Sequence, residues 1–156
     1  MELIVCVLLV GIGATAATDL WALARERLFG IAPPDFGLVG RWLVGMPHGR
    51  FRHDSLAAVP AVRSERLFGW VAHYLIGIAF AGVLLGIWGI EWIRQPRLGP
   101  AILVGIVTVA APLLVMQPSM GVGFSASRAT HSLVTHLAFG VGLYAAGWIT
   151  NLIIAG

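Results

Sequence analysis

The sequence predicts an all-α integral membrane protein, a four-helix bundle with a long cytoplasmic loop. Three observations predict it. Apolar residues make up 58% of the 156 residues and charged ones only 11%, where soluble domains carry about 25% charge; mean hydropathy is +0.89. Four runs reach about the 20 residues that a helix needs to cross roughly 30 Å of hydrocarbon. None of them alternates with period two, which argues against a β-barrel. The same composition excludes a disordered chain, a disulfide-rich secreted scaffold and a soluble enzyme. At this length the chain reads as a single transmembrane domain, residues 1–156.

The first expected span, residues 3–23, is broken only by Thr15, Thr18 and Asp19. Its Ala14-Thr15-Ala16 looks like a signal-peptide cleavage site, but no positive side chain precedes it, so the run is expected to stay as a span. The second, residues 67–90, holds no Asp, Glu, Lys or Arg, with His73 as its polar ring. The third, residues 99–116, opens with Pro100 in a first turn, where proline fits. Its Pro112 lacks an N–H and is expected to leave the Thr108 carbonyl free. The fourth, residues 130–154, carries His131 and His136. Runs this apolar on every side fit membrane spans better than amphipathic surface helices. Between spans, residues 24–66 are polar and rich in Arg, Pro and Gly; within them, 36–46 is apolar but too short to span, and is expected to be an interfacial helix or a re-entrant piece. Residues 91–98 form a short turn, and 117–129 a Gly/Ser-rich loop with Arg128.

Charge sets the expected orientation. All ten basic residues are Arg. Arg25, Arg27, Arg41, Arg50, Arg52, Arg63, Arg66 and Arg128 fall on one side, and only Arg94 and Arg97 on the other. This bias places residues 24–66 in the cytoplasm and both termini in the periplasm. Trp21 and Trp70 near one boundary, and Trp88, Trp92 and Trp148 near the other, form the aromatic belts of such a protein. The net charge of +3 in so apolar a chain points to the lipid bilayer and its anionic headgroups, not to nucleic acid. Cys6 is the only cysteine, so no internal disulfide forms.

The ionisable residues inside the spans gather at one end. Asp19 lies about 6 Å inside the first span, and His73 and His136 each about 9 Å inside theirs, at 1.5 Å per residue. Alternating helix direction brings all three to the cytoplasmic end, with His48, His53, Gln117 and His131 as rim or lid residues. A carboxylate within a span costs roughly 2.5–3.5 kcal/mol on insertion scales and usually faces a partner. Asp19, His73 and His136 are therefore the candidate proton or metal site, with a divalent metal as the candidate ion. Two plainer readings stand beside this one. Asp19 snorkels to the interface or pairs with Arg25 or a loop Arg, and each His bonds a backbone carbonyl or a Ser on the next helix. The glycines one turn from these rings, Gly69, Gly77 and Gly140, serve close helix packing or make room for haem with His73 and His136 as axial ligands. His131 and His136 are five apart, about 140° round a helix, so they form no two-His clip. No GKS/T loop, CxxC or HExxH occurs, and no nucleophile with an adjacent base is visible, so no catalytic residue is assigned. Three functions stay open: a proton- or metal-handling membrane protein, a b-type haem redox protein, and a structural subunit whose Gly82 and Gly86 face partner helices. A four-span chain is small for a whole transport path, which fits a homo-oligomer.

The motifs Thr18-Asp19, Gly40-Arg41-Trp42, Gly69-Trp70 with His73-Tyr74, Met116-Gln117-Pro118, Gly121-x-Gly123 and the late His136 occur in an order that resembles an uncharacterised family of small bacterial inner-membrane proteins, a domain of unknown function. The resemblance covers nearly the whole chain and implies four spans and a bacterial inner membrane. It implies no activity.

Overall fold

The computed structural model describes residues 2–155. Their helices are α1 (Glu2–Phe29), α2 (Phe36–Gly45), α3 (Glu65–Trp88), α4 (Glu91–Arg94), α5 (Leu98–Thr108), α6 (Gln117–Ser119) and α7 (Ala126–Ala155). Short 3₁₀ turns lie at Met46–His48 and Leu56–Ala58, and a π-helical turn at Ala111–Met116. Among the described residues there is no strand, and the fold is all-α. Four helical stretches are long and apolar enough to cross a membrane: Glu2–Phe29, Glu65–Trp88, Leu98–Ser119 and Ala126–Ile154.

These are the four expected spans with shifted ends. α1 continues past Leu23 to Phe29, which takes Arg25 and Arg27 into the helix. It stops where Gly30 turns left-handed (φ 65°) and donates its N–H to the Glu26 carbonyl at 3.0 Å. α3 ends at Trp88 in the same way, with Gly89 at φ 70° donating to Leu85 at 2.8 Å. In both places the residue past the helix caps a carbonyl of the last turn from a conformation that suits glycine. The third stretch is not a continuous α-helix. α5 stops at Thr108 and the chain passes Pro112 in a π-helical turn, where the Gln117 N–H reaches back to the Pro112 carbonyl. The wider turn absorbs the donor that proline lacks.

The chain divides into two compact units. The first comprises residues 2–33, 74–108 and 133–155, and the second Pro34–His73 and Val109–Ser132.

In the first unit the core is drawn from every helix. Cys6, Val10 and Ala14 of α1 lie in one buried cluster with Leu84 of α3, Trp92 of α4, Val104 of α5 and Leu143 of α7. Glycine lets the backbones approach. A Cβ on Gly11 would stand 2.5 Å from the Ile78 Cα, one on Gly77 would overlap the Thr15 hydroxyl, and one on Gly142 would stand 2.9 Å from the Ala14 carbonyl. Gly140 meets the Ala101 carbonyl at 2.9 Å, and Gly105 the His136 carbonyl at 2.5 Å, on the same count. Small residues at seams are the usual means of packing helices in lipid, where apolar burial alone gives no drive. The space beside Gly77 and Gly140 is thus filled by neighbouring helices. Outward-facing side chains such as Leu20, Leu75 and Leu152 are exposed by 68%, 59% and 70%, an arrangement that suits hydrocarbon and not water.

The second unit holds the short apolar piece of residues 36–46 as a helix. Asp35 caps α2 by accepting the Gly37 N–H at 2.8 Å. α2 crosses the first turns of α3 so closely that a Cβ on Gly40 would overlap the Glu65 carbonyl, and one on Gly69 the Phe36 carbonyl. A left-handed Gly121 (φ 76°) lets the 119–121 turn lie against residues 53–56. There the His53 N–H donates to Ser119 at 2.9 Å and the Leu56 N–H to Met120 at 3.0 Å.

Candidate functional site

Along α1 every fourth residue meets α3. Val7 lies by Gly82, Gly11 by Ile78 and Thr15 by Gly77, an antiparallel seam at helical spacing. Thr15 satisfies its own hydroxyl by donating to the Gly11 carbonyl at 2.8 Å. One turn further, the seam changes character. The Tyr74 hydroxyl donates to Asp19 Oδ2 at 2.9 Å, joining residues 55 apart in the chain. Both side chains are half-buried. A phenol is a neutral donor that can hold a carboxylate in an apolar setting without a counter-charge.

The adjoining face of α1 runs Ala14, Thr18, Trp21, Arg25. Ala14 packs on Gly142 of α7, and the Thr18 hydroxyl returns to the Ala14 carbonyl at 2.9 Å. Lower on this face Arg25 is only 5% exposed. Its Nε and Nη1, and the indole Nε1 of Trp21 one turn away, are buried without a hydrogen-bond partner. The alternative expectation, that Arg25 pairs with Asp19, finds no support in these two nitrogens. His136 lies half-buried on α7, its carbonyl facing Gly105 of α5. Ala146 lies by Gly13 and Gly142 by Ala14 in an antiparallel run. Carried on, this register brings His136 level with residues 20–23 of α1, just beyond Asp19.

In the second unit the His73 ring packs beside two aromatic rings. Its centroid lies 4.3 Å from that of Phe36 and 5.8 Å from that of Trp70, and Phe36 and Trp70 are themselves 4.6 Å apart. This three-ring group joins α2 to α3. Beside it Arg41 clamps the long segment. Its Nε and Nη2 donate to the two oxygens of Glu65 at 2.8 and 2.9 Å, and its Nη1 to the carbonyls of Leu56 and Val59 at 3.3 and 2.5 Å. The Val62 N–H donates to Glu65 at 2.8 Å. The fork geometry needs a guanidinium, and Glu65 holds the Arg41 charge more firmly than usual, chiefly through that hydrogen bond. The Trp42 indole donates to the Phe51 carbonyl at 2.9 Å.

The rim residues all lie in the second unit. His48 is exposed, with Nδ1 3.2 Å from the Val44 carbonyl. His53 and His48 line one cavity of about 220 Å³ with Arg41 and Arg50. Gln117 donates to Ser132 at 3.4 Å, and His131 is exposed on the first turns of α7. Among the described residues no three of His, Cys, Asp or Glu are grouped so as to hold a metal ion. Tyr74 and the Arg41–Glu65 pair are the functional-looking contacts that sequence reasoning missed. Tyr74 and Arg41 stand in the motifs noted above, but nothing in spacing ties a tyrosine to an acid on another helix.

Residues 8–150 match the model of a protein family described as protein of unknown function (DUF2938). No curated protein matches the chain, and no solved structure does.

Proposed function

Because the chain belongs to the DUF2938 family, a family of unknown function, we propose its role from its own residues: a multi-pass membrane protein that handles protons through Asp19. The hydrogen bond from Tyr74 to Asp19 at 2.9 Å carries this reading. An acid in a membrane helix is costly unless partnered. One partner here, the Tyr74 phenol, is neutral and can donate to the carboxylate or accept from the carboxylic acid. That hydrogen bond can therefore persist in either protonation state, as suits a proton-exchanging group. His136, on α7 just beyond the level of Asp19, is the candidate second station of the path. A proton suits the site better than a metal, because a divalent ion needs several converging ligands and no such group occurs among the described residues. The Arg bias supports an orientation with residues 24–66 in the cytoplasm and both termini in the periplasm, and the resemblance of the motifs supports a bacterial inner membrane.

The test is infrared titration of the purified protein in lipid. Wild type is expected to show a titrating carboxyl band that Asp19→Asn removes and Tyr74→Phe shifts, because the phenol no longer bonds the group. In liposomes with a trapped pH dye, Asp19→Asn is expected to cut proton flux at least tenfold. Asp19→Asn protein that keeps both the band and the flux would end the reading.

A further inference from the structure

The second unit contains a basic hollow that the proton reading does not use. The cavity of about 220 Å³ is lined by Arg41, His48, Arg50 and His53, with Val44 and Leu56 among its apolar wall. Its size is informative. At ~30 Å³ per water it holds roughly seven waters, below the 300–1,000 Å³ of sites for drug-sized ligands. A phosphate group with a short substituent fits such a space. Its charge is informative too. Glu65, the acid beside Arg41, is engaged in both oxygens by that guanidinium, and the remaining Arg41 nitrogen serves two carbonyls. Arg41 is therefore wall, and Arg50 is the guanidinium left to face a ligand. His53 adds an imidazole ring to the lining, with its Nδ1 buried and without a hydrogen-bond partner among the described residues. Asp54 lines a separate, more open hollow together with Arg52 and His53.

We propose that this cavity binds the phosphate group of a small phosphate ester, held by Arg50 and His53. The chemistry is shared by a soluble ester such as glycerol 3-phosphate and by a glycerophospholipid headgroup, and the two sources are separated by experiment. The full-length protein is purified in a neutral detergent and titrated with glycerol 3-phosphate. In parallel it binds vesicles of phosphatidylcholine with or without phosphatidylglycerol. Saturable binding is expected in one arm at least. Arg50→Gln is expected to weaken it about tenfold or more, as for loss of a charge-assisted hydrogen bond, and His53→Ala to weaken it less. Arg52→Gln removes a neighbouring charge that does not line this cavity and is expected to change affinity less than twofold. Arg50 and Arg52 are both exposed, so neither variant should alter the melting temperature without ligand, which checks the fold. Binding to glycerol 3-phosphate identifies a soluble ester, and binding only to phosphatidylglycerol vesicles identifies a lipid headgroup. Equal weakening by Arg50→Gln and Arg52→Gln would mean diffuse charge attraction and overturn the proposal, as would no binding in either arm. Because the proton reading rests on Asp19 alone, Asp19→Asn leaves this binding intact and the two proposals fail separately.

Discussion

At the residue scale the polar groups fall into two kinds. Asp19, Arg41 and Glu65 have found partners across the fold, two of them through charge-assisted forks and one through a phenol. Arg25 is less well provided: it is 5% exposed, and its Nε and Nη1 lack an acceptor among the described residues. Buried donors of a charged group left without acceptors are destabilising. Replacing Arg25 with an apolar side chain of similar length removes the desolvation cost and keeps the packing of the stem. Arg25→Met is therefore expected to raise the melting temperature of the detergent-solubilised protein by several degrees, measured by intrinsic fluorescence. A fall of similar size would show that Arg25 is satisfied by lipid or water in the membrane-like environment.

At the element scale, glycine decides which helix faces meet. Gly11 and Gly77 lie within the α1–α3 seam, where a Cβ would collide with backbone or with the Thr15 side chain. Gly86 has nothing within 4 Å of where its Cβ would stand. Identical residue types on one helix thus carry opposite burdens. Gly77→Leu is expected to prevent recovery of folded protein, or to lower its melting temperature by more than 10 °C, about 3 kcal/mol or more at ~2–4 °C per kcal/mol. Gly86→Ala is expected to be neutral or slightly stabilising, since alanine is the better helix former. The expectation that Gly82 and Gly86 pack against partner helices gives the contrary result: there Gly86→Ala disturbs an oligomer, seen as a change in mass by light scattering. The spacing Gly69, Gly77 and Gly82, Gly86 looks alike along the sequence. Which of them lies at a seam depends on the azimuth of each helix.

At the scale of the whole molecule, the exposed apolar side chains are the dominant fact. Large residues such as Leu75, Leu114 and Leu152 stand 59%, 75% and 70% exposed, and a bilayer is the solvent that accepts them. Leu75 lies near the middle of α3 on such a face. Leu75→Arg is expected to cost about 3 kcal/mol of insertion free energy, the value for a guanidinium at a helix centre. A glycosylation-tagged insertion assay reads that as a marked loss of membrane integration for this helix. Leu84, equally apolar, is fully buried in the core and lies one turn from the end of α3, so the same change there should cost insertion less, by its position, and abolish folding. An outcome in which Leu75→Arg inserts as wild type does would place that face against protein or water.

The four spans, the all-α class and the short helix after Pro34 were legible because they depend on local facts. A run of apolar residues must leave water whatever surrounds it, and a proline or an Asp cap acts within one turn. The distance of Asp19 and His136 from a helix end was less legible, because α1 runs on to Phe29 and α7 begins at Ala126, which sets both residues farther from an end than expected. The partners were not legible. Tyr74 reaches Asp19 over 55 residues and Arg41 reaches Glu65 over 24. The His73 ring lies against Phe36 and Trp70, which no spacing in the sequence announces. Hydrophobicity and helical period are properties of a segment and survive in isolation. Rotation of one helix about its axis and its register against the next are set by how side chains interlock, and that exists only once the helices have come together.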